Sequence, residues 1–407
     1  MEKAYKFYSY AKKHGFRGAL AKTNTFLKKK VNNTKHPLDI MVDIQDVMKA
    51  DYISRPYKKP PKIVKNAKGT LKVAWVLSPL SPGSGGQNTI TRFAKFLKQQ
   101  GHDVTIYLYE SIQPQSVTEA TKILKESFNF DVKVRKIADY QESDVLLATG
   151  WETAYPVFNI ETKAHKLYFI QDFEPSFYGV GSKSVLAENT YKMGFFGITA
   201  GRWLTHRVTT EYGMSADYFD FGADLDIYRA KEGIITQRKK KIAFYARPVT
   251  DRRAFELGVI ALDIFHAKHP EYEIEFIGWD TSGYQVPFPY TNRGILSHQE
   301  LASLYQESIA CLVLSLTNVS LLPLELLAAG CIPVVNEGDN NSMVLGDNDN
   351  IRYAPASPIQ LAEAIENVVI AKDIQAQAKR AAESVKTLQW SDSYTKFENI
   401  ILKEVTK

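Results

Sequence analysis

From Lys72 onward, short apolar runs alternate with stretches of helical spacing, and this alternation stops once and then starts again. Lys72–Ser78 (KVAWVLS) reads as a strand and Pro79–Gly86 as a turn-rich loop. Gln87–Gln100 reads as a helix through Ile90, Phe93, Ala94 and Leu97, ended by Gly101. Val104–Tyr109, Val145–Thr149, Lys166–Ile170 and Gly197–Thr199 read as further strands. The polar, basic stretch Lys231–Lys241 breaks the pattern, which resumes with strands Ile242–Ala246, Tyr272–Ile277, Cys311–Leu314 and Ile332–Val335. Helices are expected between them over Ala254–Lys268, His298–Glu307 and Leu321–Ala329. Ser297 and Glu300 form a capping box, and Gly330 ends the helix before it. Strand–helix alternation of this kind predicts two α/β domains with mostly parallel, Rossmann-like sheets, over residues 71–230 and 240–388. Ligands of such sheets bind beyond the C-terminal strand ends, so the cleft between the domains is the expected site. A last amphipathic stretch, within 391–407, runs through Tyr394, Phe397, Ile400, Ile401 and Val405.

Charge is distributed unevenly. Residues 1–70 carry 17 Lys+Arg against 5 Asp+Glu, and the rest of the 407-residue chain is net acidic although the total is +6. This basic extension, with Lys28-Lys29-Lys30 and the interleaved Tyr5, Phe7, Tyr8, Tyr10, Phe16 and Phe26, suits an anionic membrane surface or a phosphate-bearing acceptor. The alternative is a solvated helical extension whose aromatics pack on the body of the protein. Nucleic acid is the least expected partner, because the remaining chain is acidic and has no recognisable nucleic-acid module. No run approaches the roughly 18 apolar residues of a membrane span, and the start lacks a secretory signal. The expectation is a cytosolic chain acting at the inner face of a membrane. Cys311 and Cys331 lie in apolar runs and read as reduced core residues.

Three constellations suggest chemistry. Ser81-Pro-Gly-Ser-Gly-Gly-Gln-Asn88 follows a strand and opens a helix, which places Gly85 and Gly86 where backbone N–H groups suit a diphosphate or a sugar. It is not a dinucleotide fingerprint, since Asn88 stands where the third glycine belongs. Arg247, Arg252 and Arg253 cluster just past a strand end, placed to clamp a diphosphate or else to form an exposed ion-pair group with Asp251 and Glu256. Glu325 stands alone in an apolar stretch, where a carboxylate needs a partner or a ligand hydroxyl. The loop Thr317-Asn318-Val319-Ser320 before it turns a helix N-terminus toward the cleft, suited to a leaving phosphate. Asp172 and Glu174 follow a strand of the first domain and are the candidate catalytic carboxylates, reaching the cleft from its other wall. Asp224-Leu-Asp226 and Asp347-Asn-Asp349 spell D-x-D, but neither is tied to the arginines, so no metal is expected. His102, His165, His206 and His298 lack metal spacing, and no G-x-S-x-G occurs.

The order of glycine loop, Gly-Ala-Asp-Leu-Asp-Ile-Tyr (222–228), Arg247 to Arg252 and Pro-Leu-Glu-Leu-Leu-Ala-Ala-Gly-Cys-Ile-Pro-Val-Val (323–335) resembles GT-B nucleotide-sugar glycosyltransferases of family 4. Gln171-Asp-Phe-Glu-Pro-Ser-Phe177 and Tyr245-Ala-Arg-Pro248 look like the branch that makes rhamnose-containing bacterial surface glycans. The resemblance spans about residues 71–405. It implies a donor bound in the C-terminal domain, its ribose on Glu325, its diphosphate on Arg247 and Arg252, and its base near the backbone of Ile295 and Leu296. It also implies that the final helix crosses back onto the N-terminal domain. One departure is Thr317, where the family carries a second acid, with seven residues between it and the glutamate. That acid usually contacts the donor sugar, and a 6-deoxy sugar offers fewer polar groups to read.

The expectation is a retaining transferase moving L-rhamnose from dTDP-β-L-rhamnose to a lipid-linked, rhamnan-type surface glycan such as an S-layer glycan, with no cofactor beyond the sugar nucleotide. Retention rests on the resemblance alone. The rivals are a GT-B epimerase or phosphorylase and a nucleotide-sugar-binding scaffold.

Overall fold

The computed structural model describes residues 38–63, 69–110, 113–230 and 238–406. The Lys28–Lys30 run, the aromatics from Tyr5 to Phe26 and most of the Lys231–Lys241 break lie outside them.

Two parallel sheets carry the molecule. The first comprises β1 (Lys72–Leu77), β2 (Asp103–Leu108), β3 (Lys133–Lys136), β4 (Val145–Ala148), β5 (His165–Ile170), β6 (Phe196–Ala200) and β7 (Ala216–Phe219). Its strand order is β3-β2-β1-β4-β5-β6-β7. The second comprises β8 (Lys241–Tyr245), β9 (Glu273–Ile277), β10 (Thr291–Gly294), β11 (Ala310–Val313), β12 (Ile332–Asn336) and β13 (Arg352–Ala354). Its order is β10-β9-β8-β11-β12-β13. Each order reverses once, between β1 and β4 and between β8 and β11, where register pairs Val76 with Ala148 and Phe244 with Leu312. Loops leaving strands on either side of a reversal diverge to opposite faces and open a crevice at the strand ends.

Helices cover both faces, and their ends follow local chemistry. Ser84 caps the helix Gly85–Gln99 by accepting from the Gln87 N–H. Ser297 and Glu300 form the capping box of the helix His298–Glu307. The helix Leu322–Ala328 ends before Gly330, whose φ of +73° places it in the left-handed region. Cys311 and Cys331 are buried thiols.

The chain crosses back at its end, through a tight contact. A Cβ on Gly222 would lie 2.5 Å from the Trp390 nitrogen, so only glycine admits the strand of chain that starts the helix Trp390–Thr406. Ala223 N–H donates to the Leu388 carbonyl beside it. The helix then lies on the first domain, where Phe397 is fully buried among Trp75, Phe93 and Phe169 at centroid distances of 5.7, 4.8 and 5.5 Å. Residues 42–63, grouped by charge with the basic extension, also belong to this first domain. Val42 and Ala50 enter its core, Tyr109 donates to Asp46, and Ile63 N–H donates to the Val405 carbonyl.

Phe397→Ala is expected to destabilise the protein by about 3–5 kcal/mol, since a buried aromatic leaves a cavity that this rigid cluster cannot close. Urea denaturation checks it, and a loss below about 1 kcal/mol contradicts the packing described.

Candidate functional site

Asp172 leaves the C-terminal end of β5 and crosses to the second domain. Its Oδ1 accepts from the backbone N–H groups of Phe173 and Asn318, both at 2.8 Å. Its Oδ2 accepts from Arg252 Nε at 3.1 Å and Thr317 Oγ1 at 3.2 Å. At 8% exposure, this carboxylate has exchanged its water for four protein donors, three of them from the other domain. Asn318, 1% exposed, adds a second bridge: its Nδ2 donates to the carbonyls of Gln171 and Ala200 at 2.8 and 2.9 Å. Arg252 lies 4.1 Å over the ring of Phe177 from the first domain. The loop 315–320 is fixed from behind by asparagines. Asn336 exchanges hydrogen bonds with the Ser315 backbone at 2.8 and 2.9 Å, and Asn340 donates to the carbonyls of Ser315 and Thr317.

The arginines at the end of β8 are used unequally. Arg252 is spent on Asp172. Arg253 is 9% exposed, donates to Ser315 Oγ at 2.7 Å, and meets no carboxylate within ion-pair distance among the described residues. Burial draws its pKa down, yet a guanidinium stays charged. Arg247 lies 5.8 Å from the Trp279 ring centroid. Its Nε, with Asn318 Oδ1 and Ser320 Oγ, is buried without a hydrogen-bond partner among the described residues. A buried cation and three orphaned polar atoms, two on the loop 315–320 and one past β8, are costly unless an anionic or hydroxyl-rich ligand completes them.

Glu325 sits behind that loop on the helix Leu322–Ala328, 9% exposed. Burial, then the neighbouring Asp224, push its pKa up to about 7, against opposing contributions from Arg92 and a hydrogen bond with Tyr228. The Tyr228 hydroxyl also bonds His298 Nδ1 at 2.8 Å. Asp224 is held by both Arg92 terminal nitrogens at 2.7 and 2.6 Å, a fork that ties the helix Gly85–Gln99 to the chain crossing.

Comparison with known proteins follows the same two-domain division. A family model described as the WsaF N-terminal domain matches residues 98–199, and one described as the WsaF C-terminal domain matches residues 240–366. The chain belongs to the WsaF family. The O-antigen biosynthesis protein RfbC of Myxococcus xanthus is 30% identical over 338 residues, covering 80% of this chain and 26% of that protein. The chain thus spans about a quarter of that relative's length. Among solved structures, HepE of Anabaena in complex with UDP-glucose superimposes with a TM-score of 0.65 at 12% identity, over 82% of this chain and 100% of that one. Sucrose-phosphate synthase of Thermosynechococcus elongatus gives 0.63 at 13% identity, over 82% and 99%. WaaG, a glycosyltransferase involved in lipopolysaccharide biosynthesis, gives 0.55 at 14% identity, over 81% and 99%. At these identities the likeness is one of fold, and the fold is GT-B.

In this WsaF-family chain the expected donor-side residues Arg247, Arg252 and Arg253 follow β8, and Thr317, Asn318, Val319 and Ser320 follow β11. Arg253 meets Ser315, Arg252, Thr317 and Asn318 meet Asp172, and Glu325 instead meets Asp224, Arg92 and Tyr228. Ile295 and Leu296 follow β10, with Ile295 78% exposed. Gly85 and Gly86 open their helix on the opposite domain, where a Cβ on Gly86 would lie 3.6 Å from the Gln171 amide. Glu174 does not reach the cleft. Its carboxyl turns into the first domain, accepting from the Trp151 N–H at 2.5 Å and the Tyr168 hydroxyl at 3.0 Å. Burial, then Glu152, push its pKa well above the ordinary range, as suits a carboxyl turned into the core. The polar loop 317–320 presents Thr317 and Asn318 to Asp172 rather than to open cleft.

Two residues escaped sequence reasoning. Trp279 follows β9 through Gly278, and the run Ile277-Gly-Trp after an apolar strand was a usable signal. Glu152 follows β4 at the reversal point, half-buried, its Oε1 accepting from Ser78 Oγ at 2.6 Å across the crevice.

Arg253→Met removes the buried charge while keeping the apolar stem, so unfolding stability is expected to hold or rise. Affinity for a nucleoside diphosphate is expected to fall at least about tenfold, since a charge-assisted contact to phosphate is lost. Calorimetry paired with thermal denaturation checks both, and destabilisation with unchanged affinity contradicts the assignment. A second expectation concerns Glu325. Its folded pKa of about 7 exceeds the usual 4.5, so between these values only the unfolded chain releases the proton, and Glu325's contribution to stability falls as pH rises. Glu325→Gln should therefore gain stability relative to wild type across that window, by up to about 3 kcal/mol. Parallel stability profiles for the two proteins contradict it.

Proposed function

We propose that the chain is a glycosyltransferase moving L-rhamnose from dTDP-β-L-rhamnose to a growing, lipid-linked bacterial surface glycan, with retention of the anomeric configuration. The observation that carries this reading is Arg253: a buried guanidinium that meets no carboxylate within ion-pair distance among the described residues, near Arg247 with its orphaned Nε, past the strand that borders the strand-order reversal of the second sheet. That arrangement suits a diphosphate entering from the cleft. Arg247 and Arg253 would hold it and take up the charge that grows on it as the glycosyl bond breaks. These cations do the neutralising that other sites leave to a metal, and no cofactor is proposed. Glu325 would accept from the nucleoside's sugar hydroxyl.

A deoxysugar is favoured by Thr317. Its hydroxyl is spent on Asp172, so the position where the family carries a second acid offers the sugar neither an acid nor a free hydroxyl proton. Asp172 is proposed to keep the two walls in register across the reacting centre rather than to act as a free base. The acceptor wall presents Glu152, whose second oxygen has no hydrogen-bond partner among the described residues, beside Ser78. RfbC is a protein of O-antigen biosynthesis, which is consistent with a rhamnose-bearing surface glycan as product. No helix among the described residues is long and apolar enough to cross a membrane. Contact with an anionic membrane surface on the cytoplasmic side is proposed through the basic residues of 1–70, which would bring the enzyme to a lipid-linked acceptor.

Incubation with dTDP-β-L-rhamnose and a rhamnose-terminated oligosaccharide is expected to yield the oligosaccharide extended by one rhamnose, with dTDP released in equal amount. The new linkage is then assigned by NMR. Extension by UDP-glucose but not by dTDP-rhamnose overturns the choice of donor, and binding without turnover to any acceptor favours a scaffold.

A further inference from the structure

Four of the five tryptophans, Trp75, Trp151, Trp203 and Trp390, are buried, whereas Trp279 is half-exposed. It stands just past β9, whose neighbour β8 ends at Tyr245, two residues before Arg247, so the indole borders the arginine cluster on the side away from the strand-order reversal. Its position is built, not incidental. Gly278 turns the chain with φ of +100°, and a Cβ there would lie 2.7 Å from the Tyr245 ring and 3.4 Å from Arg247 Cγ. Only glycine therefore lets Trp279 come alongside Arg247, whose guanidinium lies 5.8 Å from the ring centroid.

The loop beyond is anchored. Asp280 Oδ1 accepts from Asn292 Nδ2 of β10 at 2.6 Å and from the Ser282 N–H at 3.0 Å, and the Tyr290 hydroxyl donates to the Thr281 carbonyl at 3.1 Å. A half-exposed indole on a fixed loop is a preformed surface for a planar ring. The guanidinium supplies charge on one side of it, and the exposed Ile295 past β10 supplies apolar surface on the other. Moving outward from the reversal, the strand ends thus offer a cation, an aromatic plane and an aliphatic side chain, the sequence of groups that a diphosphate followed by a pyrimidine would meet.

We propose that Trp279 is the stacking platform for the donor's nucleobase, and thus a specificity-determining residue of the transferase. This rests on the reading that the donor is a nucleoside-diphosphate sugar. Stacking of a base on an aromatic side chain contributes about 1–3 kcal/mol, so Trp279→Ala should weaken dTDP binding roughly 5- to 100-fold. Inorganic diphosphate has no ring to stack and should bind the variant as it binds the wild type. Trp279→Phe should restore most of the dTDP affinity. Titration of wild type with dTDP should also quench tryptophan fluorescence, and Trp279→Phe should lose that quench while still binding.

Calorimetry with dTDP and with inorganic diphosphate on all three proteins, alongside fluorescence, makes the test. Equal dTDP affinity in Trp279→Ala and wild type overturns the proposal. So does an equal loss for dTDP and diphosphate, which would mean that the indole acts by holding Arg247. Failure of wild type to bind dTDP at all would instead remove the nucleotide-sugar reading beneath it.

Discussion

The structure depends on one carboxylate shared between two domains. Asp172 belongs to the first sheet, yet three of its four donors, Arg252, Thr317 and the Asn318 N–H, belong to the second. A buried carboxylate needs such partners, and removing one side of a buried charge pair typically costs about 3–5 kcal/mol. The bridge therefore fixes which loops face one another across the cleft. It also decides which arginine is spent. Arg252 and Thr317 answer to Asp172, and Arg247 and Arg253 are left with charge and donors to offer a ligand. The returning C-terminal helix and the Arg92–Asp224 fork hold the same two bodies together further out, so the bridge works within an already constrained hinge.

Much of the architecture was legible because a parallel sheet buried on both faces forces apolar runs into the sequence. Strands such as β4 (VLLA) and β11 (ACLV) stand out for that reason. The edge strands β3 (KVRK) and β10 (TNRG) do not, since one side of each faces water and their side chains follow solvent rather than the core. The extent of the first domain was misread at its start for a related cause. Residues 42–63 are basic and irregular in sequence, and only tertiary contacts such as Ile63 with Val405 reveal where they lie.

The site was legible in part. Side chains announced by their own rarity divide: three arginines in seven residues stand just past β8, whereas the glutamate of the apolar helix after β11 meets Asp224, Arg92 and Tyr228. Roles set by a partner distant in sequence were not readable. Nothing near Asp172 announces a bridge to residue 318, and nothing near Glu174 announces that Trp151 and Tyr168 take its carboxyl inward. Thr317 is the instructive position. Taken alone it is a missing acid, but in the fold its hydroxyl meets a carboxylate from the opposite domain, so negative charge returns to the same place from the other wall. What remains unpaired at the site among the described residues, Arg247 Nε, Ser320 Oγ and Asn318 Oδ1, beside an Arg253 guanidinium bonded to Ser315, is what the proposed anionic, hydroxyl-bearing ligand would complete.

The central claim is that these unpaired groups form a metal-independent site for a thymidine-carrying diphosphate. Calorimetric titration of the purified chain with dTDP, UDP and GDP in the presence of EDTA tests it most directly. The account predicts saturable binding with dTDP the tightest of the three, unchanged by added magnesium. Failure to bind any of the nucleotides, or binding that appears only when a divalent ion is restored, would contradict it.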